Sequence, residues 1–244
     1  MSRNQAACIS VRGVTRKFDD KEVLHGITLT VRSGEIFGLL GPSGSGKTTL
    51  VKMIAGIDEA TAGEIDVLGT RMPKLEMMNR IGYMAQSDAL YAELTARENL
   101  ECFGSLFGLR GGRLKQRMLD VMELVGLTGH LNLLVGAYSG GMKRRLSLAI
   151  ALLHEPEVLI LDEPTVGIDP VLRKSIWDEL ASLSRRGATV LVTTHVMDEA
   201  GKCRRLGMLR DGNLIAAGTP EELMAGSGAA SIEEAFLHYG CACA

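Results

Sequence analysis

Three stretches of the chain hold the residue types that phosphate chemistry uses. In the first, Gly41-Pro42-Ser43-Gly44-Ser45-Gly46-Lys47-Thr48-Thr49, Gly41 and Gly46 bracket the loop, and Lys47 and Thr48 follow directly. Residues without a Cβ let successive backbone N–H groups close around phosphate oxygens. A helix opening at the end of such a loop adds the positive pole of its dipole. In that arrangement Lys47 reaches the β- and γ-phosphates of a nucleoside triphosphate, and the Thr48 hydroxyl ligates Mg²⁺. A glycine-rich turn with a surface lysine is the plainer reading. It loses ground because a strand-like run precedes the loop and a helical pattern follows it.

The second stretch is Val158-Leu159-Ile160-Leu161-Asp162-Glu163, four apolar residues that deliver two carboxylates to the end of a buried strand. Open α/β sheets bind their ligands at that end of the strands. Asp162 would hold Mg²⁺, and Glu163, projecting the other way, is placed to polarise an attacking water. Taken alone, such a pair is an ordinary solvated strand end; beside the glycine loop the catalytic reading gains. The third stretch is Tyr138-Ser139-Gly140-Gly141-Met142. Ser139 reads as an N-cap, and the two glycines expose first-turn N–H groups, which makes a second anion site. A capped helix with a flexible start explains the same residues.

The elements that carry these stretches alternate. Ile9, Val11 and Val14, then Val23, Leu24, Ile27, Leu29 and Val31, recur near period two around the turn Asp19-Asp20-Lys21, which predicts an antiparallel pair. A buried strand at 36–40 feeds the loop, and residues 48–55 form a helix that ends at Gly56. Strands follow at 64–68 and 81–85. Thr95 with Glu98 makes a capping box, and Gly108–Gly112 separates two helices within 95–125. Another helix runs from Ser139 to Pro156, then comes the 158–161 strand, a helix over 170–186 with proline at its start, and strands at 189–193 and 206–209. A short helix at 232–239 closes the chain. The fold class expected is α/β, a P-loop NTPase core with a mainly parallel sheet, an N-terminal antiparallel β subdomain and an inserted α-helical subdomain. The boundaries expected are a core over 1–94 and 155–225, the helical subdomain over 95–154 and a C-terminal tail over 226–244.

Lys and Arg number 27 against 29 Asp and Glu, so no basic excess points to nucleic acid. No run of 18 uncharged apolar residues exists to span a membrane. The N-terminus lacks the apolar segment of a signal peptide, and Cys8, Cys102, Cys203, Cys241 and Cys243 make no spaced disulfide framework. Reduced thiols in the cytosol are expected, with Cys241 and Cys243 in a frayed tail.

In this order and spacing, the loop at 41–48, Ser139-Gly140-Gly141-Met142 and Val158–Asp162 with Glu163 resemble the Walker A, signature and Walker B elements of the nucleotide-binding subunit of an ABC transporter. The resemblance covers essentially the whole chain. It implies an ATPase with ATP and Mg²⁺ as cofactors, and it assigns further residues. Gln86 matches the glutamine loop, which touches Mg²⁺ and the lytic water and reports to the membrane partner. Asp169 matches the loop that crosses a dimer interface, His195 the switch histidine at the γ-phosphate, and Phe18 the aromatic that stacks on adenine. Catalysis then falls to Glu163, His195 and Gln86, and Mg²⁺ to Thr48, Gln86 and Asp162. Two such subunits, alike or different, would sandwich two ATP molecules, with residues 41–49 of one facing Ser139, Gly140 and Gly141 of the other. They would drive a separate membrane-spanning permease docked near residues 86–99, from the cytoplasmic face of the cell membrane.

Tyr138 stands where the family more often has Leu, Met142 where it has Gln, and Phe18 where it has Tyr. With Gly167-Ile168-Asp169-Pro170, this signature resembles the export-type branch, whose members move drugs, lipids or polysaccharides. Plainer roles exist for the added residues: Gln86 a polar strand end, Asp169 a turn former, Phe18 a core aromatic, His195 a structural histidine. His25, His130, His154 and His238 match nothing and read as structural. The alternative function is a soluble ABC-type ATPase not coupled to transport. Members that act on ribosomes carry two cassettes and those that repair DNA a long coiled coil, and neither fits within 244 residues. A P-loop kinase would lack Ser139-Gly140-Gly141 and the Asp162-Glu163 pair, and Glu163 with His195 opposes a module that only binds.

Overall fold

The computed structural model describes residues 6–87 and 89–241. Strands β1 (Ala7–Phe18) and β2 (Lys21–Arg32) pair antiparallel, and β4 (Ala62–Val67) and β5 (Thr70–Arg71) extend them into a four-stranded sheet of order β2-β1-β4-β5. The period-two apolar residues fill one face of it, with Ile9, Val11, Val14, Leu24, Ile27, Leu29 and Val31 all buried. The second sheet joins β3 (Ile36–Leu40), β6 (Ile81–Met84), β7 (Val158–Asp162), β8 (Thr189–Thr194), β9 (Arg205–Arg210) and β10 (Asn213–Gly218) in the order β10-β9-β3-β8-β7-β6. All pairs in it are parallel except β9 with β10.

The continuous apolar runs of β3, β7 and β8 are buried throughout, as parallel strands covered on both faces must be. Alternate side chains divide between two cores. Phe37, Leu39, Val158 and Ile160 pack with the antiparallel sheet and α1 (Lys47–Ile54). Ile36, Leu40, Leu159 and Leu161 pack with the helices on the other face. Those helices include α2 (Ala96–Leu106), α3 (Gly111–Leu124), α4 (Gly140–Leu152) and α5 (Pro170–Arg185). Thr95 and Glu98 form the expected reciprocal capping box at the start of α2.

Several elements differ from the expectation. Gly111 and Gly112 open α3 instead of lying in the break, because the turn is completed by Phe107–Arg110. The polar bridge after β8 contains the short helix α6 (Met197–Ala200), and β10 adds an antiparallel edge. A further helix, α7 (Pro220–Ser227), begins at a second capping box, Thr219 with Glu222. Helix α8 (Ile232–Cys241) runs two residues past the expected end, and its Ile232, Ala235 and Phe236 join the same core as Leu223 of α7. Cys243 lies outside the described residues. Among those described, no helix is long and apolar enough to cross a membrane.

Candidate functional site

The loop after β3 owes its shape to close backbone approaches. A Cβ on Gly41 would stand 2.2 Å from the Leu209 carbonyl oxygen of β9, so no other residue fits there. Gly46 caps α1 at φ 101°, and a Cβ on it would meet Leu24 at 2.6 Å. Lys47, 5% exposed, turns back over the loop and donates to the carbonyls of Gly41 at 2.8 Å and Pro42 at 2.9 Å. Burial lowers the pKa of its amine, against the upward pull of the Glu163 and Asp162 charges. Ser45 Oγ is buried with no partner among the described residues. Thr48 and Thr49 follow in the first turn of α1, half-buried, and Pro42, Ser43 and Gly44 are exposed at the loop surface.

Register brings the carboxylates to this loop. Since β8 lies between β3 and β7, the end of β7 and the end of β8 emerge beside the start of α1. Asp162 is fully buried, and its Oδ1 accepts a short hydrogen bond from the Thr193 hydroxyl. Among the described residues, its Oδ2 is buried without a partner. Glu163 adopts φ 52°, a conformation that costs a non-glycine residue on the order of 1 kcal/mol or more and that clusters at functional sites. Its N–H donates to the Thr193 hydroxyl at 3.0 Å and the Thr193 carbonyl at 3.2 Å, which holds the turn. The Glu163 carboxylate then stands 4.0 Å from Lys47 Nζ and 3.1 Å from His195 Nδ1. His195, just past β8, remains largely exposed on its other side.

Lys47, Asp162, Glu163 and His195 therefore converge. A divalent cation fits them: among the described residues Asp162 Oδ2 is an unsatisfied buried carboxylate oxygen, and Mg²⁺ takes one or two carboxylates together with phosphate oxygens and water. Among the described residues, Phe18, Ser139 and Asp169 bond to none of that group. Phe18, 43% exposed, carries the Arg16 guanidinium 4.3 Å above its ring. Asp169 is the N-cap of α5 and accepts from Leu172 N at 3.0 Å. Ser139 caps α4 by accepting from Met142 N at 3.2 Å, and both Ser139 and Gly140 are exposed. Gly141 packs against the 163–169 loop, where a Cβ would lie 3.2 Å from the Gly167 carbonyl. The Gln86 side chain is exposed just beyond β6.

The sequence reading missed Arg144. This buried guanidinium on α4 donates to the carbonyls of Ala85, Gln86, Asp162 and Glu163, joining the glutamine, both carboxylate residues and the signature helix. Its signal was present: Arg144 precedes Leu148 by four and Ala151 by seven, which puts it on the buried face. It sits inside the charged run Lys143-Arg144-Arg145, which masks that position. A cavity of about 790 Å³ opens under the amino ends of β7 and β8, lined by Cys8, Arg117, Glu157 and Thr189 among others. It lies at the opposite end of those strands from Asp162 and His195, and no candidate residue lines it.

A glycine loop leading from a parallel strand to a helix, with paired carboxylates at the neighbouring strand end, defines a nucleoside-triphosphatase. The ABC transporter family model matches residues 24–166. The chain is 43% identical over 221 residues to the Nod factor export ATP-binding protein I of Burkholderia lata, covering 89% of this chain and 73% of that protein. It is 42% identical over 221 residues to the probable multidrug ABC transporter ATP-binding protein YbhF of Escherichia coli K12, covering 90% of this chain and 38% of that one. The solved ATP-binding subunit of an ABC transporter superposes with a TM-score of 0.89 at 27% identity, covering 96% of this chain and 99% of that structure. A dimeric ATP-binding cassette in a post-hydrolysis state with ADP and Pi gives 0.80 at 28% identity, over 86% of this chain and 98% of that one. The chain belongs to the ABC transporter family, as an ATP-binding and ATP-hydrolysing subunit. Such subunits dimerise and work with a membrane-spanning permease.

Proposed function

We propose that the chain powers export through a separate permease by closing and opening on ATP with a second ATP-binding subunit. The observation that carries this reading is the convergence of Lys47, Asp162, Glu163 and His195 at the strand ends beside the glycine loop. Export in particular rests on the relatives, named for Nod factor export and multidrug transport.

The N–H groups of residues 41–49 and the Lys47 amine bind the β- and γ-phosphates, and Phe18 stacks on adenine with its open face. Thr48, Asp162 and Gln86 would hold Mg²⁺, which would supply neutralisation of phosphate charge when bound. Glu163 accepts the proton of the attacking water, and His195, oriented by its contact with Glu163, donates to the γ-phosphate oxygens. The positive end of α4, with Ser139, Gly140 and Gly141, completes the site of the second subunit, and Asp169 lies at that interface. The permease docks around residues 86–99, where Tyr91 is exposed and the loop is organised by the buried Asn99 amide, which donates to the Tyr91 and Thr95 carbonyls. The working position is the cytoplasmic face of the membrane, held by the permease.

Glu163→Gln keeps the shape of the side chain and removes the base, so ATP should hold the closed pair together. Size-exclusion chromatography of that variant with ATP and Mg²⁺ should show a dimer. A monomer that still binds ATP would count against the sandwich.

A further inference from the structure

Helix α6 follows the His195 turn and is only four residues long, yet it carries a carboxylate that is 2% exposed, that of Glu199. An acidic side chain is rarely buried to that degree without dedicated partners. The Thr165 hydroxyl donates to Glu199 Oε1 in a short hydrogen bond. The Thr194 hydroxyl donates to Oε2 at 2.8 Å. Arg173 Nε on α5 stands 4.0 Å from Oε1, and the same guanidinium donates to the Ile168 carbonyl at 3.2 Å.

The two threonines are not arbitrary neighbours. Thr165 lies two residues beyond Glu163, and Thr194 immediately precedes His195. Thr194 Oγ1 also accepts from the Val196 N–H at 3.0 Å, so one hydroxyl closes the backbone turn around His195 while anchoring it to Glu199. The Glu199 N–H donates in turn to the Val196 carbonyl at 3.1 Å. Each oxygen of one buried carboxylate thus grips a segment that presents a reacting side chain, and those side chains meet at 3.1 Å.

We infer that Glu199 is a positioning residue for ATP hydrolysis: it ties the loop leaving Glu163 to the strand end that presents His195 and so sets their mutual placement. This rests on the reading of Glu163 and His195 given above. Glu199 acts through these groups and reaches neither water nor phosphate. The Arg173 contact extends the tie along the loop to Ile168, next to Asp169, so displacement of that loop by a second subunit would be felt at His195.

The test is steady-state ATP turnover and ATP binding by the full chain. Glu199→Ala should lower kcat ~10- to 100-fold while KM for ATP stays within about threefold, as expected for misplaced reacting groups beside an intact phosphate cradle. Glu199→Gln should recover most of the loss, because the threonine hydroxyls can reorient to an amide. Thr165→Val, which deletes one hydroxyl and keeps the carboxylate, should show the same split in milder form and remains informative if Glu199→Ala folds poorly. In a His195→Ala background, Glu199→Ala should cost less than about threefold further, since the residues act in series. An unchanged kcat in folded Glu199→Ala and Thr165→Val overturns the inference, as does an equal loss with and without His195. Absence of turnover in the unsubstituted chain would instead overturn the hydrolytic reading itself.

Discussion

Removing the Lys47 amine by Lys47→Ala tests the phosphate cradle most directly. Two bonds at 2.8 and 2.9 Å tie that amine to the Gly41 and Pro42 carbonyls, and the Glu163 carboxylate faces it at 4.0 Å. Opposite unit charges at about 4 Å attract by roughly 4 kcal/mol at an effective dielectric constant near 20. A γ-phosphate facing the amine gains on that scale. The gain is offset in part by one carbonyl bond that the amine gives up, a charge-assisted bond that contributes about 1.5 kcal/mol at the low end. A net loss of about 2–3 kcal/mol corresponds to a roughly 30- to 150-fold weaker Kd for ATP. Isothermal titration calorimetry with ATP and with AMP separates this from general damage, because AMP has no phosphates at the β and γ positions. ATP affinity should collapse while that for AMP changes little. An ATP Kd within threefold of the original, or AMP weakened as much as ATP, refutes the assignment of Lys47.

Ser139→Arg should abolish ATP turnover and leave ATP binding by the monomer intact by calorimetry, since the exposed start of α4 acts on a nucleotide held by the other subunit. Arg144→Leu removes donors from four backbone carbonyls around the site and should destabilise the fold by ~3 kcal/mol or more in urea titrations, with loss of turnover. Arg144→Lys should not rescue it, because one ammonium cannot span those acceptors. His154 is pushed down to about 4 by burial against Phe107, so the unfolded chain binds its proton first as pH falls. Stability should therefore be unaffected by this group above pH ~6.5 and decline by up to ~3 kcal/mol between there and pH 4, a slope that His154→Phe should flatten in thermal melts.

Where one chemical requirement acts on adjacent residues, the sequence was a sufficient guide. The glycine loop, the strand that ends in Asp162-Glu163 and the Ser139 cap are each set by local backbone geometry, so the structure places them as their types suggest. The capping boxes illustrate the limit. Thr95–Glu98 stood at the head of a long helical pattern and was legible, whereas Thr219–Glu222 opens a helix of eight residues too short for a clear period. Strand β10 was hidden because its residues are mostly half-buried and it is an edge strand, paired on one side only, to β9. Arg144, Thr193 and Glu199 were illegible for another reason. Apart from the Thr194–Glu199 bond, the partners named above lie 18 to 59 residues away, and long-range pairing of a buried polar group leaves no local mark beyond its position on an apolar face.

Under the proposed function, the distribution of hydrogen bonds explains why a single chain would hold only part of the reaction site. Asp162, Glu163 and His195 are fixed from within, by Thr193, Arg144 and the Glu199 network, so the geometry proposed for hydrolysis is in place without a partner. The first turn of α4 is the reverse: its Ser139 cap is satisfied, yet Ser139 and Gly140 present their surface to solvent. Helix N-termini attract anions, and this one is bolted through Arg144 to the carbonyls behind Glu163. A nucleotide from a second subunit seated on that turn would therefore press on the element that holds the carboxylates. Arg144 on α4 holds the Glu163 carbonyl and Glu199 on α6 holds Thr165 two residues further on, so under the proposed function the placement of Glu163 would respond to movement of either helix.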